Sequence, residues 1–95
     1  MKMCECELLI CGIFESFFRL EGNHKIGRHV AINEAIRQLK FLEKGGFGPV
    51  ATFHFAEVRK DFEAMKEMDV THYKKIVEGL RFSMPIYKNI VKRTC

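Results

Sequence analysis

The chain has 95 residues, of which 47% are apolar and 29% are charged, and its formal net charge is +4. This composition is typical of one globular domain near the lower size limit for a core without disulfides or metals, and it excludes disordered and fibrous proteins. A membrane span needs ~20 apolar residues, and the short apolar run 8–14 follows Glu5 and Glu7, which a signal peptide would exclude. We therefore expect a single domain over residues 1–95, intracellular and cytoplasmic, with no membrane partner.

Two amphipathic helices are predicted in the first half of the chain. In both, apolar residues recur at intervals of three or four, which places them on one face of a helix. The first stripe contains Cys6, Ile10, Ile13, Phe17 and Leu20, and the second contains Ile32, Ala35, Ile36, Leu39 and Leu42. Gly22 is placed to end the first helix, and Gly45 with Gly46 to end the second. Gly12, inside the first helix, indicates a close contact with another helix.

The segment GPVATFHFAEVRKDFEAMKEMD, which starts at Gly48, allows two interpretations. Its first half alternates like a strand, with Phe53 and Phe55 on one side. Over its whole length it instead carries a helical stripe of Ala51, Phe55, Val58, Phe62, Met65 and Met68. Gly48 followed by Pro49 is a typical helix start, and no turn signal separates the two halves. We therefore predict a helix, with Phe53 directed away from its apolar face.

Two shorter helices are predicted after Asp69. Thr71 can cap the first of them and Ser83 the second. Their apolar residues are Tyr73, Ile76, Val77 and Leu80, followed by Tyr87, Ile90 and Val91. Gly79, like Gly12, indicates a close helix contact rather than a break. The predicted fold is therefore all-α, a compact antiparallel bundle of about five helices joined by short loops.

The first helix carries more apolar residues than one face needs. They are Leu8, Leu9, Ile10, Ile13, Phe14, Phe17, Phe18 and Leu20. Either this helix lies at the centre of the domain, or its surplus meets a second copy of the chain. We expect a homodimer.

The residue types that carry metal or catalytic chemistry are present without the required spacing. The cysteines are Cys4, Cys6, Cys11 and Cys95, and the histidines are His24, His29, His54 and His72. Neither set has metal-ligand spacing, so no metal, cofactor or catalytic residue is predicted. We expect reduced thiols that act as small apolar groups, with a bridge from Cys4 to Cys95 as the alternative.

Positive charge is concentrated near the C-terminus. Residues 70–95 have a balance of +5, whereas residues 1–21 have a balance of −2. In the same region, DFEAMKEMDVTHYKKIVEGL has the outline of a helix-turn-helix. We expect this region to bind nucleic acid or an acidic protein surface. The candidate binding residues are Thr71, His72, Lys74, Lys75, Arg81, Lys88 and Arg93.

Two short segments suggest an enzyme family. GPVATFHFAEVR resembles the glycine-led strand of the large subunit of molybdopterin synthase, and MPIYKNI is similar to its Pro-Ile-Trp-Lys segment, with Tyr87 in place of tryptophan. The resemblance implies a strand after Gly48, and hence an α+β, ferredoxin-like fold. It also implies that Arg81 and Lys88 occupy the family's active-site lysine positions.

The residues themselves favour a non-enzymatic, small regulatory binding module. Its C-terminal helix-turn-helix-like segment suggests association with nucleic acid. The alternative is a protein-interaction adaptor or homo-oligomer that uses an exposed apolar stripe. A cofactor-biosynthesis enzyme related to molybdopterin synthase is the third hypothesis.

Overall fold

The computed structural model describes residues 2–95 and places most of them in helices. The helices are α1 (Met3–Glu21), α2 (Arg28–Glu43), α3 (Pro49–Glu67) and α4 (Val70–Thr94). Within residues 2–95 there is no strand, so the predicted all-α fold is confirmed and the ferredoxin-like alternative is not supported. None of the helices in this described part is long and apolar enough to cross a membrane.

Helix α1 lies at the centre of the fold, in contact with α2, α4 and, less extensively, α3. Its buried residues are Cys6, Ile10, Cys11, Ile13, Phe14 and Phe17. A helix that is apolar around most of its circumference must be covered on several sides. Here the neighbouring helices of the same chain provide that cover. The apolar surplus that suggested a homodimer is therefore accounted for without a second copy.

An aromatic cluster joins α1 to α3 in the core. The ring of Phe62 lies 4.9 Å from the ring of Phe14 and 5.2 Å from that of Phe17, measured between centroids. Phe55, two turns earlier on α3, is fully buried, whereas Phe53 is 66% exposed. The four-three spacing predicted both the buried face of α3 and the outward direction of Phe53.

The start of α3 decides between the helix and strand interpretations. Gly48 is the N-cap with a φ of 99°, a conformation that favours glycine, and Pro49 occupies the first turn. The helix then continues without interruption to Glu67. The predicted helix is confirmed, and the strand implied by the resemblance to molybdopterin synthase is wrong.

One long helix replaces the fourth and fifth predicted helices. Helix α4 has 25 residues and contains Pro85 in its interior. Proline has no N–H to donate to the carbonyl four residues earlier, so it usually ends or bends a helix. The helix nevertheless continues past Ser83, which is not a cap, and the fold has four helices rather than five.

The two helical glycines do not mark close contacts. A Cβ atom added at Gly12 or Gly79 would meet no atom of a neighbouring element within 4 Å. The predicted role of these glycines is therefore wrong, and both positions face open space.

The cysteines divide into two classes. Cys4, in the first turn of α1, forms a disulfide with Cys95, and their Cα atoms are 5.9 Å apart. Cys6 and Cys11 are free and buried, as expected for small apolar residues. The expectation of four reduced thiols is therefore wrong for Cys4 and Cys95, because α1 and α4 run antiparallel and bring these two residues together.

The opposite environments of Phe62 and Phe53 predict opposite effects of truncation. Phe62→Ala should lower the free energy of unfolding by ~3–5 kcal/mol, because it leaves a cavity beside Phe14 and Phe17. Phe53→Ala, on the exposed side of the same helix, should change it by under ~0.5 kcal/mol. Urea denaturation followed by circular dichroism measures both values. Similar losses for the two variants would show that the assigned buried face of α3 is wrong.

Candidate interaction surface

Helix α4 begins at a capped N-terminus. The carboxylate Oδ1 of Asp69 accepts a hydrogen bond from the backbone N–H of His72 at 2.8 Å. Asp69, not Thr71, is therefore the N-cap. Both Thr71 and His72 lie exposed in the first turn.

One face of α4 packs against α1. Its buried residues are Tyr73, Val77 and Val91. The two helices run antiparallel, since Arg81 pairs with Glu21, Lys88 pairs with Glu15, and Cys95 is bonded to Cys4. These contacts fix the rotation of α4 about its own axis, and hence determine which residues face outward.

Arg81 is held by the end of α1. Its Nη2 donates to the carbonyl oxygen of Phe18 at 2.8 Å and to Glu21 Oε2 at 2.6 Å. Its guanidinium also lies over the Phe18 ring, 5.1 Å from the centroid. These contacts commit the charge and the Nη2 donor of Arg81 to α1.

The seven candidate binding residues do not form one surface. Lys74, Lys75 and Arg93 are exposed, together with Thr71 and His72. Arg81 and Lys88 are ion-paired with α1 carboxylates, and Lys88 has only 29% of its side chain exposed. The predicted basic surface therefore has exposed cations near both ends of α4, whereas the cations in its middle are neutralised by carboxylates of α1.

Apolar side chains occupy the outer face of α4 between those ends. Phe82, Ile86 and Ile90, which we call the α4 stripe, are 77%, 51% and 55% exposed. Residues four apart lie on one side of a helix, so the three side chains form a continuous row. Lys75 and Arg93 stand seven residues from members of the stripe, and therefore lie on the same side, one at each end.

The α4 stripe is not predicted from the sequence. The pattern places Ile90 on a packing face and Phe82 on no face, because it predicts a helix break at Ser83. The spacing of 82, 86 and 90 was nevertheless available in the sequence. It becomes visible only when the helix is continued through Pro85.

A second apolar surface lies between α1 and α2. It is an open groove of about 480 Å³. Its walls are Leu9, Gly12, Ile13, Arg37, Gln38, Phe41 and Leu42. Arg37 is paired with Glu34 on the same helix, at 2.5 Å. The groove thus presents no free charged group with which to orient a ligand.

Tyr73 lies beside Arg28 where α4 meets the start of α2. The side chain is 3% exposed, and its hydroxyl has no hydrogen-bond partner. The Arg28 guanidinium lies over the ring, 4.9 Å from its centroid. Burial raises the pKa of Tyr73 to about 12, and the Glu21 carboxylate adds to the effect.

The histidines do not assemble into a metal site. His24, His29 and His72 are exposed and His54 is half-buried. Among residues 2–95, no group of three or more His, Cys, Asp or Glu side chains is arranged to hold a metal ion.

Comparison with family models, with curated proteins and with solved structures finds no significant match to this chain.

The raised pKa of Tyr73 predicts that the protein loses stability in alkaline solution. An unfolded tyrosine loses its proton near pH 10, whereas the folded protein holds that proton to about pH 12. The contribution of Tyr73 to stability should be complete below pH 10 and should fall by ~2–3 kcal/mol as the pH rises through this interval.

Tyr73→Phe isolates this contribution. The variant should be at least as stable as the parent at pH 7, since it removes a buried hydroxyl without a partner. It should also lose less stability between pH 10 and 12. Tyr87→Phe provides the comparison at the second tyrosine, whose pKa is also raised to about 12 by burial and by the Glu7 carboxylate. Because Tyr87 is 37% exposed and water screens its charge, its contribution should be smaller than that of Tyr73. Equal alkaline losses in the parent and in Tyr73→Phe, measured by urea denaturation, would contradict the assignment.

Proposed function

We propose that the protein is a non-enzymatic regulatory binding module that docks an acidic, amphipathic polypeptide helix on the outer face of α4. The observation that supports this function best is the α4 stripe. Its three large apolar residues are more than half exposed, on a helix whose opposite face is part of the core.

The apolar part of the partner follows from the geometry of the stripe. A row of side chains at four-residue spacing fits the apolar side of a second helix, whose own residues recur at three and four. Each large side chain covered in this way contributes ~1.5–3 kcal/mol when it is fully buried. Three such residues are enough for a specific contact of moderate strength.

The acidic part of the partner follows from charge. Residues 70–94 carry six Lys or Arg and one acidic residue, Glu78. Since Arg81 and Lys88 are paired with α1, the cations left for a partner are Lys74, Lys75, Lys92 and Arg93. Two copies of α4 would bring these cations together and repel each other. An acidic partner therefore fits the surface better than a homodimer does.

Nucleic acid is a second candidate partner, favoured by the start of α4. Thr71, His72, Lys74 and Lys75 are all exposed within its first two turns. N-terminal residues of a recognition helix are the ones that reach into the major groove. This candidate uses only the N-terminal end of the surface and leaves the α4 stripe without a role.

We expect the protein to act in the cytoplasm. Thiols in that compartment are kept reduced, so the bridge between Cys4 and Cys95 would form there only under oxidising conditions.

Truncation of the stripe tests the docking proposal. The probe is a synthetic amphipathic helix of about 20 residues with leucines along one side and glutamates on the other. Phe82→Ala should weaken its binding ~10-fold or more, measured by calorimetry, because this residue is the most exposed apolar anchor of the stripe. Phe41→Ala, at an equally exposed position on α2, should leave the affinity unchanged.

A scrambled peptide of the same composition provides the second control, since it keeps the charge and loses the apolar side. It should bind weakly to every variant. Equal affinity of the ordered and scrambled peptides, or equal losses for Phe82→Ala and Phe41→Ala, would contradict docking on the α4 stripe.

A salt titration tests the nucleic-acid candidate. Each phosphate neutralised by the protein releases bound counterion, so affinity for duplex DNA should fall steeply between two salt concentrations. Lys74→Gln combined with Lys75→Gln should lower that slope by about two units. If duplex and single-stranded DNA both fail to bind at low salt, nucleic acid is removed as a partner.

A further inference from the structure

The disulfide between Cys4 and Cys95 joins the first turn of α1 to the residue that follows α4. It closes the chain into a loop, with a sequence separation of 91 between its ends. In space it fixes the last turn of α4 beside the first turn of α1.

Few other contacts hold the C-terminal part of α4, residues 85–94. Val91 is its only buried residue, whereas the earlier part of the helix buries Tyr73 and Val77. Lys88 adds an ion pair with Glu15, and Tyr87, 37% exposed, lies beside Glu7 of α1. At the junction of the two parts, Pro85 provides no N–H for the Arg81 carbonyl. The helix can therefore open from its C-terminus as far as Pro85 at low cost.

The two free cysteines report on different parts of the fold. Cys11 faces α4 and lines a cavity of about 240 Å³ together with Met84, Pro85 and Lys88. Cys6 lines a separate cavity with Phe47 and residues 48–51, at the start of α3. Both thiols are buried, and burial raises the pKa of each, so each should react slowly while it is covered.

We propose that the Cys4–Cys95 disulfide is a redox latch, whose reduction releases residues 85–94 from α1 and uncovers Cys11 while the rest of the fold remains intact. The effect on function rests on the proposed docking surface. Ile86 and Ile90 belong to the α4 stripe and lie within the released segment, so reduction would separate them from Phe82 and disrupt the α4 stripe.

The chemistry of the latch requires a dithiol reductant. Its thiolate attacks one sulfur of the bridge and forms a mixed disulfide, while the other cysteine leaves as a thiolate and takes up a proton. The second thiol of the reductant then displaces the remaining cysteine. The reductant ends as a disulfide, and Cys4 and Cys95 end as thiols.

Alkylation of the two buried thiols tests the latch. The oxidised parent is compared with the variant Cys4→Ser/Cys95→Ser, which leaves Cys6 and Cys11 as the only thiols. Each protein is treated with N-ethylmaleimide, and labelling at each site is followed by mass spectrometry. In the variant, Cys11 should react ~10-fold faster than in the oxidised parent, and Cys6 should remain protected.

Two results would overturn the latch. Equal acceleration at Cys6 and Cys11 would show that the bridge stabilises the whole fold, and no acceleration at Cys11 would show that residues 85–94 stay in place. Hydrogen exchange on the parent with and without dithiothreitol gives an answer that does not depend on the variant. Faster exchange should be confined to residues 85–94, and faster exchange across α2 and α3 as well would contradict local release.

The variant Cys4→Ser/Cys95→Ser also distinguishes failure of the latch from failure of the docking proposal. If Cys11 is uncovered and the acidic helical peptide binds ~10-fold more weakly than to the oxidised parent, both proposals are supported. If Cys11 is uncovered and the peptide binds as before, the latch stands and the docking surface is wrong. If Cys11 stays covered, the latch fails whatever the peptide does.

Discussion

The antiparallel packing of α4 on α1 decides which residues of α4 face outward and which residues meet across the fold. Helices α2 and α3 cover one side of α1, and α4 covers another. Burial of Tyr73, Val77 and Val91 against α1 fixes the rotation of α4. That rotation directs Phe82, Ile86 and Ile90 outward. It also places Cys95 beside Cys4 and Arg81 beside Glu21.

The parts of the fold that could be predicted are those set by local periodicity. The spacing of Ala51, Phe55 and Phe62 determined the buried face of α3, because a helix with this pattern has only one way to bury it. The continuity of α4 could not be predicted in the same way. Proline opposes a helix locally, and packing on both sides of Pro85 outweighs that local preference.

The candidate surface could be predicted only in part from the sequence, because the availability of each charged side chain depends on the ion pairs that it forms across the fold. Lys74 and Arg81 look alike in the sequence and both are exposed, yet only Arg81 is bound to Glu21, 60 residues away. The disulfide between Cys4 and Cys95 is a second example of pairing across the fold. Its partners are distant in the chain and meet only because α1 and α4 run antiparallel. The excess of positive charge can be predicted from the sequence, but its distribution over the folded surface cannot.

The outer face of α4 is the proposed docking surface. Nuclear magnetic resonance tests it most directly, by mapping backbone amide shifts while the acidic amphipathic peptide is added to the oxidised protein. The largest shifts should occur along α4 around Phe82, Ile86 and Ile90, with little change in the groove between α1 and α2. Shifts centred on Leu9 and Phe41, with α4 unaffected, would contradict this proposal.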